Sequence, residues 1–180
     1  MAKHPHFLWS DLFRRKRRNT DLQKILKDNV LFSTLNRRQL KYLSNFVYER
    51  QFEPNEQIYK HGDRGVGMYL IASGRIAIKT QSGSDEMFIT ELAEGSFLGE
   101  LALVDPEHLR TANAVAIDRC TLVGFFKPDL EEIIERNPAM GVKILFQLST
   151  VLGRRLLETT NLITQLKGRL GSYEKTPKAS

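Results

Sequence analysis

The sequence predicts a mainly β protein: an antiparallel β-roll of the jelly-roll kind, with helices before it and a long C-terminal helix after it. Three observations carry this reading. From Val47 to Phe126 the chain breaks into short runs rich in β-branched and aromatic residues, separated by turn signals at the intervals of a sandwich or barrel. On both sides of that stretch, apolar residues recur at helical spacing. The 180 residues, 41% of them hydrophobic, suffice for one core with extensions and would be cramped as two full domains.

The elements follow in order. Residues 21–27 place Leu22, Ile25 and Leu26 on one helical face, and residues 35–46 do the same with Leu40, Leu43 and Phe46. Strands are expected at 48–52, 56–59, 68–71, 75–80, 87–92, 111–117 and 122–126. The turn signals between them are Pro54-Asn55, His61-Gly62-Asp63, Ser73-Gly74, Ser82-Gly83-Ser84 and Glu94-Gly95-Ser96. Gly62, Gly65 and Gly67 lack the flanking strand and helix of a dinucleotide fingerprint and read as hairpin turns. A short helix is expected at 128–137 and a long one from Pro138 to about Leu170. In the long helix Leu152, Leu156, Thr159, Ile163, Leu166 and Leu170 step by four, three, four, three and four. That is a heptad seam and predicts a homodimer through this helix, against the alternative that the helix folds back on its own sheet. The expected organisation is an arm at 1–19, the roll with its flanking helices at 20–137, the dimerisation helix at 138–170 and a tail at 171–180.

The formal charge of +6 is concentrated at one end. Residues 1–20 hold Lys3, Arg14, Arg15, Lys16, Arg17 and Arg18 against Asp11, a net of +5, which leaves +1 for the rest. The charge therefore describes the arm, and nucleic acid ranks last among its partners. Leu8, Trp9, Leu12 and Phe13 would share one helical face there. The basic run follows that face instead of lying opposite it, which favours packing on the protein's own body over peripheral contact with a membrane or docking to a partner. No apolar run reaches the length of a membrane span and no leader pattern opens the chain, so a cytoplasmic protein is expected. The single cysteine, Cys120, reads as a buried strand thiol. His4 and His6 lie on the arm and His61 and His108 in loops, so no metal site and no catalytic residues are assigned, and an enzyme is not expected.

The stretch from Gly95 to Leu103, followed by Arg110-Thr111-Ala112, carries the chemistry. A phosphate diester needs converging backbone N–H groups, which a glycine opening a short helix supplies, and a fixed cation, which the planar fork of arginine supplies best. Gly99 permits close approach, Glu100 to Leu103 would form one helical turn, and Arg110 would close the site from the following strand. A carboxylate beside a phosphate needs its own task, and a ribose hydroxyl that donates to Glu100 supplies one. Phosphate and sugar hydroxyl together imply a nucleotide.

From about Leu22 to Leu166 the sequence resembles the cyclic-nucleotide-binding domains of bacterial catabolite activators, cyclic-nucleotide-dependent kinases and gated channels. The marks are Leu31-Phe32-Ser33, Gly62-Asp63, Tyr69 to Gly74, and the phosphate-binding cassette Leu98-Gly99-Glu100-Leu101-Ala102-Leu103 with Arg110-Thr111-Ala112. The separation of ten between Glu100 and Arg110 equals that in the activators. The resemblance implies that Glu100 binds the ribose 2′-hydroxyl, that Arg110 binds the cyclic phosphate, and that Thr111 adds a hydroxyl. Arg154-Arg155 to Thr159-Thr160 looks like the activator segment whose adjacent hydroxyls reach the purine, one from each subunit.

Departures accompany the likeness. Leu109 stands where many members have proline, and Asn113-Ala114 replaces the usual hydroxyl residue and valine, so a looser strand is expected after Arg110. Pro138 and Arg154 are four residues further apart than in the activators, roughly one helical turn. The activators continue into a helix-turn-helix, whereas ten residues follow Leu170 here. The expectation is a bacterial stand-alone receptor for cAMP, or cGMP, without cofactor or DNA-binding domain, signalling to an unidentified effector protein. Its alternative is a β-roll interaction and dimerisation module that has kept the fold without the ligand.

Overall fold

The computed structural model describes residues 19–82, 85–105, 107 and 109–174. Residues 1–18 of the arm, most of the tail, Pro106, His108 and part of the Ser82-Gly83-Ser84 turn lie outside the described residues. Helices α1 (Asn19–Asp28) and α2 (Arg37–Leu43) precede strands β1 (Val47–Phe52), β2 (Gln57–Tyr59), β3 (Gly67–Ser73), β4 (Ile76–Ser82), β5 (Asp85–Leu92), β6 (Phe97–Leu98), β7 (Asn113–Ala116) and β8 (Cys120–Phe126). A single 3-10 turn, Glu100–Leu103, follows β6, and α3 (Lys127–Arg136) and α4 (Pro138–Glu174) follow β8. The strands form two antiparallel four-stranded sheets, ordered β1-β8-β3-β6 and β2-β7-β4-β5.

The alternation along β3 and β8 explains why these two strands read as unbroken apolar runs. Met68, Leu70, Val123 and Phe125 join the helices in one core, while Tyr69, Ile71, Cys120 and Leu122 join Ile76, Ala114 and Ala116 between the sheets. Both faces of the first sheet are covered, so neither alternate set is polar. Cys120 is buried, as a strand thiol.

Several boundaries differ from the sequence expectation for local reasons. The second helix is shorter because Asn36 and Gln39 form a capping box at 3.0 Å in both directions, which fixes its start. β6 was not expected, since two residues carry no periodicity. Gly67 is not a turn residue: it opens β3, where a Cβ would lie 2.5 Å from the Phe125 carbonyl oxygen across the ladder. Gly62, at φ +82°, does occupy a turn.

The long helix exceeds its expected length and divides in the middle. Met140, Ile144 and Leu148 are buried in the helix-side core, with Val151 and Leu152 packed against it. From Gly153 to Leu170 every residue is exposed. Leu152, the first position of the heptad seam, is thus partly covered by its own chain, whereas Leu156, Thr159, Ile163, Leu166 and Leu170 are uncovered. Among the described residues no helix is long and apolar enough to cross a membrane.

Candidate functional site

Gly99 links β6 to the 3-10 turn at φ +78°, a conformation that side chains with a Cβ rarely adopt. A second constraint acts at the same place: a Cβ there would sit 2.3 Å from Nη1 of Arg110. Leu98, Glu100, Ala102 and Leu103 are buried and Leu101 is exposed. The turn therefore buries three of its four residues and exposes only Leu101, and before it Leu98 lies opposite Tyr69 of β3 in the ladder.

Arg110 is 4% exposed. Its backbone is clamped to the turn before β3, with the Arg110 N–H donating to the Asp63 carbonyl at 2.8 Å and the Gly62 N–H to the Arg110 carbonyl at 2.8 Å. Asp63 Oδ2 in turn accepts the Lys60 N–H, and Asn113 Oδ1 accepts the His61 N–H, both at 2.8 Å. Asn113 thus ties the segment after Arg110 to this turn, where the sequence suggested a looser strand. β7 starts at Asn113, two residues later than expected.

The Arg110 guanidinium donates from Nη1 to the Gly99 carbonyl at 3.0 Å and from Nη2 to the Gly67 carbonyl at 2.7 Å. Its Cζ lies 4.4 Å from the centroid of the Tyr59 ring. No carboxylate of the described residues forms an ion pair with it, and burial pulls its pKa down, because desolvation disfavours the charged form. The site thus holds a buried cation contacted by carbonyl dipoles and a ring face, with Glu100 and Asp63 acting on it through space.

Glu100 is the other buried charge, and it is paired. Its carboxylate accepts from Arg155 of α4, whose guanidinium also lies 4.9 Å from the Phe97 ring centroid. The Glu100 side chain is 6% exposed and that of Arg155 is 46% exposed, so the bridge runs from the buried turn outward to the helix. This contact ties α4 to the turn, despite the additional helical turn before Arg154. Thr111 is exposed beside Arg110. Thr159 and Thr160 are exposed on α4, one turn beyond Arg155, and the Thr159 hydroxyl donates to the Arg155 carbonyl at 2.8 Å.

The structure therefore brings Gly99, Glu100 and Arg110 together, while the side chains of the three threonines stand exposed. It adds Tyr59, Phe97 and Arg155, which sequence reasoning did not assign. Arg155 lay in a recognised segment, but one of two adjacent arginines on a helix gives no sign of which turns inward. Tyr59 gave no signal, being in a three-residue strand. No group of three or more His, Cys, Asp or Glu residues suited to a metal ion occurs among the described residues.

Residues 49–137 match the family model described as the cyclic nucleotide-binding domain. The chain is 31% identical over 134 residues to the cyclic AMP receptor protein of Thermus thermophilus, covering 74% of this chain and 60% of that protein. It is 31% identical over 129 residues to the human cyclic nucleotide-gated channel alpha-3, covering 69% of this chain and 18% of the channel. The matched part of the chain thus spans 60% of the length of the first of these relatives and 18% of the second. Among solved structures, the Thermus thermophilus catabolite activator protein superposes with a TM-score of 0.69 at 28% identity, covering 77% of this chain and 63% of that one. A cyclic nucleotide-binding domain from Methylobacillus flagellatus shares the fold, with a TM-score of 0.71 at 21% identity over 82% of this chain and 83% of that one. Residues 49–137, a span that holds Gly99, Glu100 and Arg110, belong to the cyclic nucleotide-binding domain family.

Proposed function

We propose that this chain is a receptor for a cyclic nucleotide, cAMP in preference to cGMP, that acts as a homodimer and passes its signal to a separate partner protein. The observation that carries the reading is Arg110: a buried guanidinium with no carboxylate partner among the described residues, against a turn opened by a left-handed glycine. Burying an unpaired cation is unfavourable for the fold alone, and an incoming anion removes the penalty. In this reading Leu98, Gly99, Leu101 and Ala102 shape the cradle, Arg110 and Thr111 hold the cyclic phosphate, and Glu100 takes the ribose 2′-hydroxyl. Thr159 and Thr160 receive the purine, and two hydroxyls at a dimer seam suit the amino group of adenine. The name of the Thermus thermophilus relative, a cyclic AMP receptor protein, supports the same choice. The exposed leucines of α4 support the dimer.

Titration calorimetry with cAMP and cGMP tests this on the purified protein. Wild type gives saturable heat with cAMP, and Arg110→Ala weakens binding by about 2–5 kcal/mol, as expected when one partner of a buried charge pair is removed. A folded dimer that binds neither nucleotide and carries none from purification overturns the receptor and leaves an interaction module on the same fold.

A further inference from the structure

We propose that Tyr59 is a positioning residue for ligand binding: its ring face holds the Arg110 guanidinium in place without neutralising it. The proposal rests on the reading of Arg110 as the phosphate's counter-charge.

The geometry begins with an irregularity in β2. Gln57 pairs with Val115 and Tyr59 with Ala114, so two steps along β2 match one step along β7. Such a bulge re-aims the residue that follows it, and bulges recur beside binding sites. Here the residue re-aimed is an aromatic one, and its ring centroid lies 4.4 Å from Cζ of Arg110. That distance is well inside the range of a cation–π contact. The Gly99 and Gly67 carbonyls hold Nη1 and Nη2. Ring and carbonyls together fix the guanidinium by three contacts, none of which carries a formal negative charge.

That last point separates Tyr59 from the usual partner of a buried arginine. A carboxylate would hold the guanidinium as firmly, but it would cancel the charge and compete with any anion that enters. A ring quadrupole and two carbonyl dipoles stabilise the cation and leave its net charge available. Glu100, the nearby carboxylate, is bridged by Arg155 and, like Asp63, acts on Arg110 only through space. Burial also pushes the Tyr59 phenol up to about 12, so at neutral pH the ring stays uncharged and offers a π face instead of a phenolate counter-ion. Two of the five N–H donors of Arg110 are used by the glycine carbonyls, and among the described residues the others remain for a ligand.

The test separates ring electrostatics from packing by changing the quadrupole at nearly constant shape. Tyr59→Phe is compared with incorporation of fluorophenylalanines of increasing fluorine content at the same position, and with Tyr59→Leu. Affinity for cAMP is measured by calorimetry on each full-length protein. Tyr59→Phe should stay within about twofold of wild type, affinity should fall stepwise with fluorination, and Tyr59→Leu should bind roughly 5- to 30-fold more weakly, the size of a partly desolvated cation–π contact. The factor should be the same for 2′-deoxy-cAMP, because the ring acts through the phosphate's arginine and not through the ribose contact. In the free protein, the Arg110 η protons should show upfield ring-current shifts in NMR spectra, and the hindered guanidinium rotation should speed up in Tyr59→Leu.

An affinity that ignores fluorination, or a Tyr59→Leu protein within twofold of wild type, overturns the proposal. If Tyr59→Leu does not fold, the fluorination series decides alone. A wild type that binds neither nucleotide overturns the receptor reading and the ligand role of Tyr59 with it, and the NMR comparison then still reports whether the ring holds the arginine.

Discussion

The two halves of α4 belong to one continuous helix and are held in place by different means. Up to Leu152 the helix presents Met140, Ile144 and Leu148 to the core and crosses α3 so closely that a Cβ at Gly141 would lie 2.6 Å from the Ile134 side chain. Beyond it, Leu156, Leu157, Leu162, Ile163, Leu166 and Leu170 all stand exposed, and a Cβ at Gly153 or Gly168 would meet open space. Glycine in a helix interior costs about 1 kcal/mol relative to alanine, and nothing in the described chain offsets that at these two positions. The first half is thus explained by the fold it packs on. The second is apolar where the described residues give no reason for it, and Arg155, three residues past Leu152, ties it to the roll.

The largest effect should come from the anchored half. Ile144→Ala or Leu148→Ala removes a side chain buried to 1% exposure and leaves a cavity between α4, α3 and the first sheet. Urea unfolding should show a loss of about 2–5 kcal/mol. A loss no greater than that of a surface substitution would mean that the first half of α4 does not depend on the core.

The junction comes next. Arg155→Ala strips the buried Glu100 carboxylate of its cationic partner, and Arg154→Ala, at an exposed position one residue earlier, does not. An expected destabilisation of about 1–2 kcal/mol for Arg155→Ala fits a charge-assisted bond that is half open to solvent. Arg154→Ala should stay within about 0.5 kcal/mol. Hydrogen exchange adds the local readout: amides after Leu152 should exchange faster in Arg155→Ala, while those of residues 140–148 should not change.

The same body should show an alkaline limit that the free half does not share. The Tyr48 hydroxyl donates to Asp129 at 3.3 Å, and burial, then the Asp129 charge, pushes its pKa up to about 12. Tyr59 is pushed up to about 12 by burial, against the opposing pull of Arg110. In the unfolded chain both ionise near pH 10. Below that the folded and unfolded states carry the same protons. Between about pH 10 and pH 12 the unfolded state binds fewer, so stability falls as pH rises through this window. At pH 11 the loss is on the order of 1 kcal/mol from Tyr59 and less from the more solvent-screened Tyr48. Unfolding titrations at pH 9 and pH 11 should show a smaller drop in the Tyr48→Phe, Tyr59→Phe double variant than in wild type.

These cases also show what was legible in the sequence. The roll was, because β3 and β8 bury both faces and so write apolar runs that turns then punctuate. That Gly99, Glu100 and Arg110 come together was legible as well, since the cradle expected for a phosphate calls for a glycine, a short helical turn and a fixed cation within a short stretch of chain. The seam of α4 was legible only in part. Its periodicity gave the stripe, but an apolar residue does not say which apolar surface it meets, and Leu152 meets the chain's own core. Tyr59 and Arg155 were hidden for a different reason. One is aimed by a bulge in the β2–β7 ladder and the other by the path of a helix across the roll, and both depend on residues far away in sequence.

The smallest effect on the fold is expected where the helix leaves the body, and it is the most informative about that half. Replacing Leu156 and Ile163 by Asp alters two side chains that are 67% and 48% exposed in the single chain. If no second copy covers them, the change puts charge into water and stability should move by no more than about 0.5 kcal/mol. If a second copy covers them, the same change buries unpaired carboxylates in a helix seam, and the assembly should dissociate. The two readings therefore predict nearly equal unfolding of an isolated chain and opposite sedimentation. Wild type should sediment as a dimer and the double variant as a folded monomer whose melting no longer depends on protein concentration. An oligomer that survives both substitutions would move the interface elsewhere, and the exposed pair Val142 and Phe146, on the anchored half of the same helix, would be the next place to test.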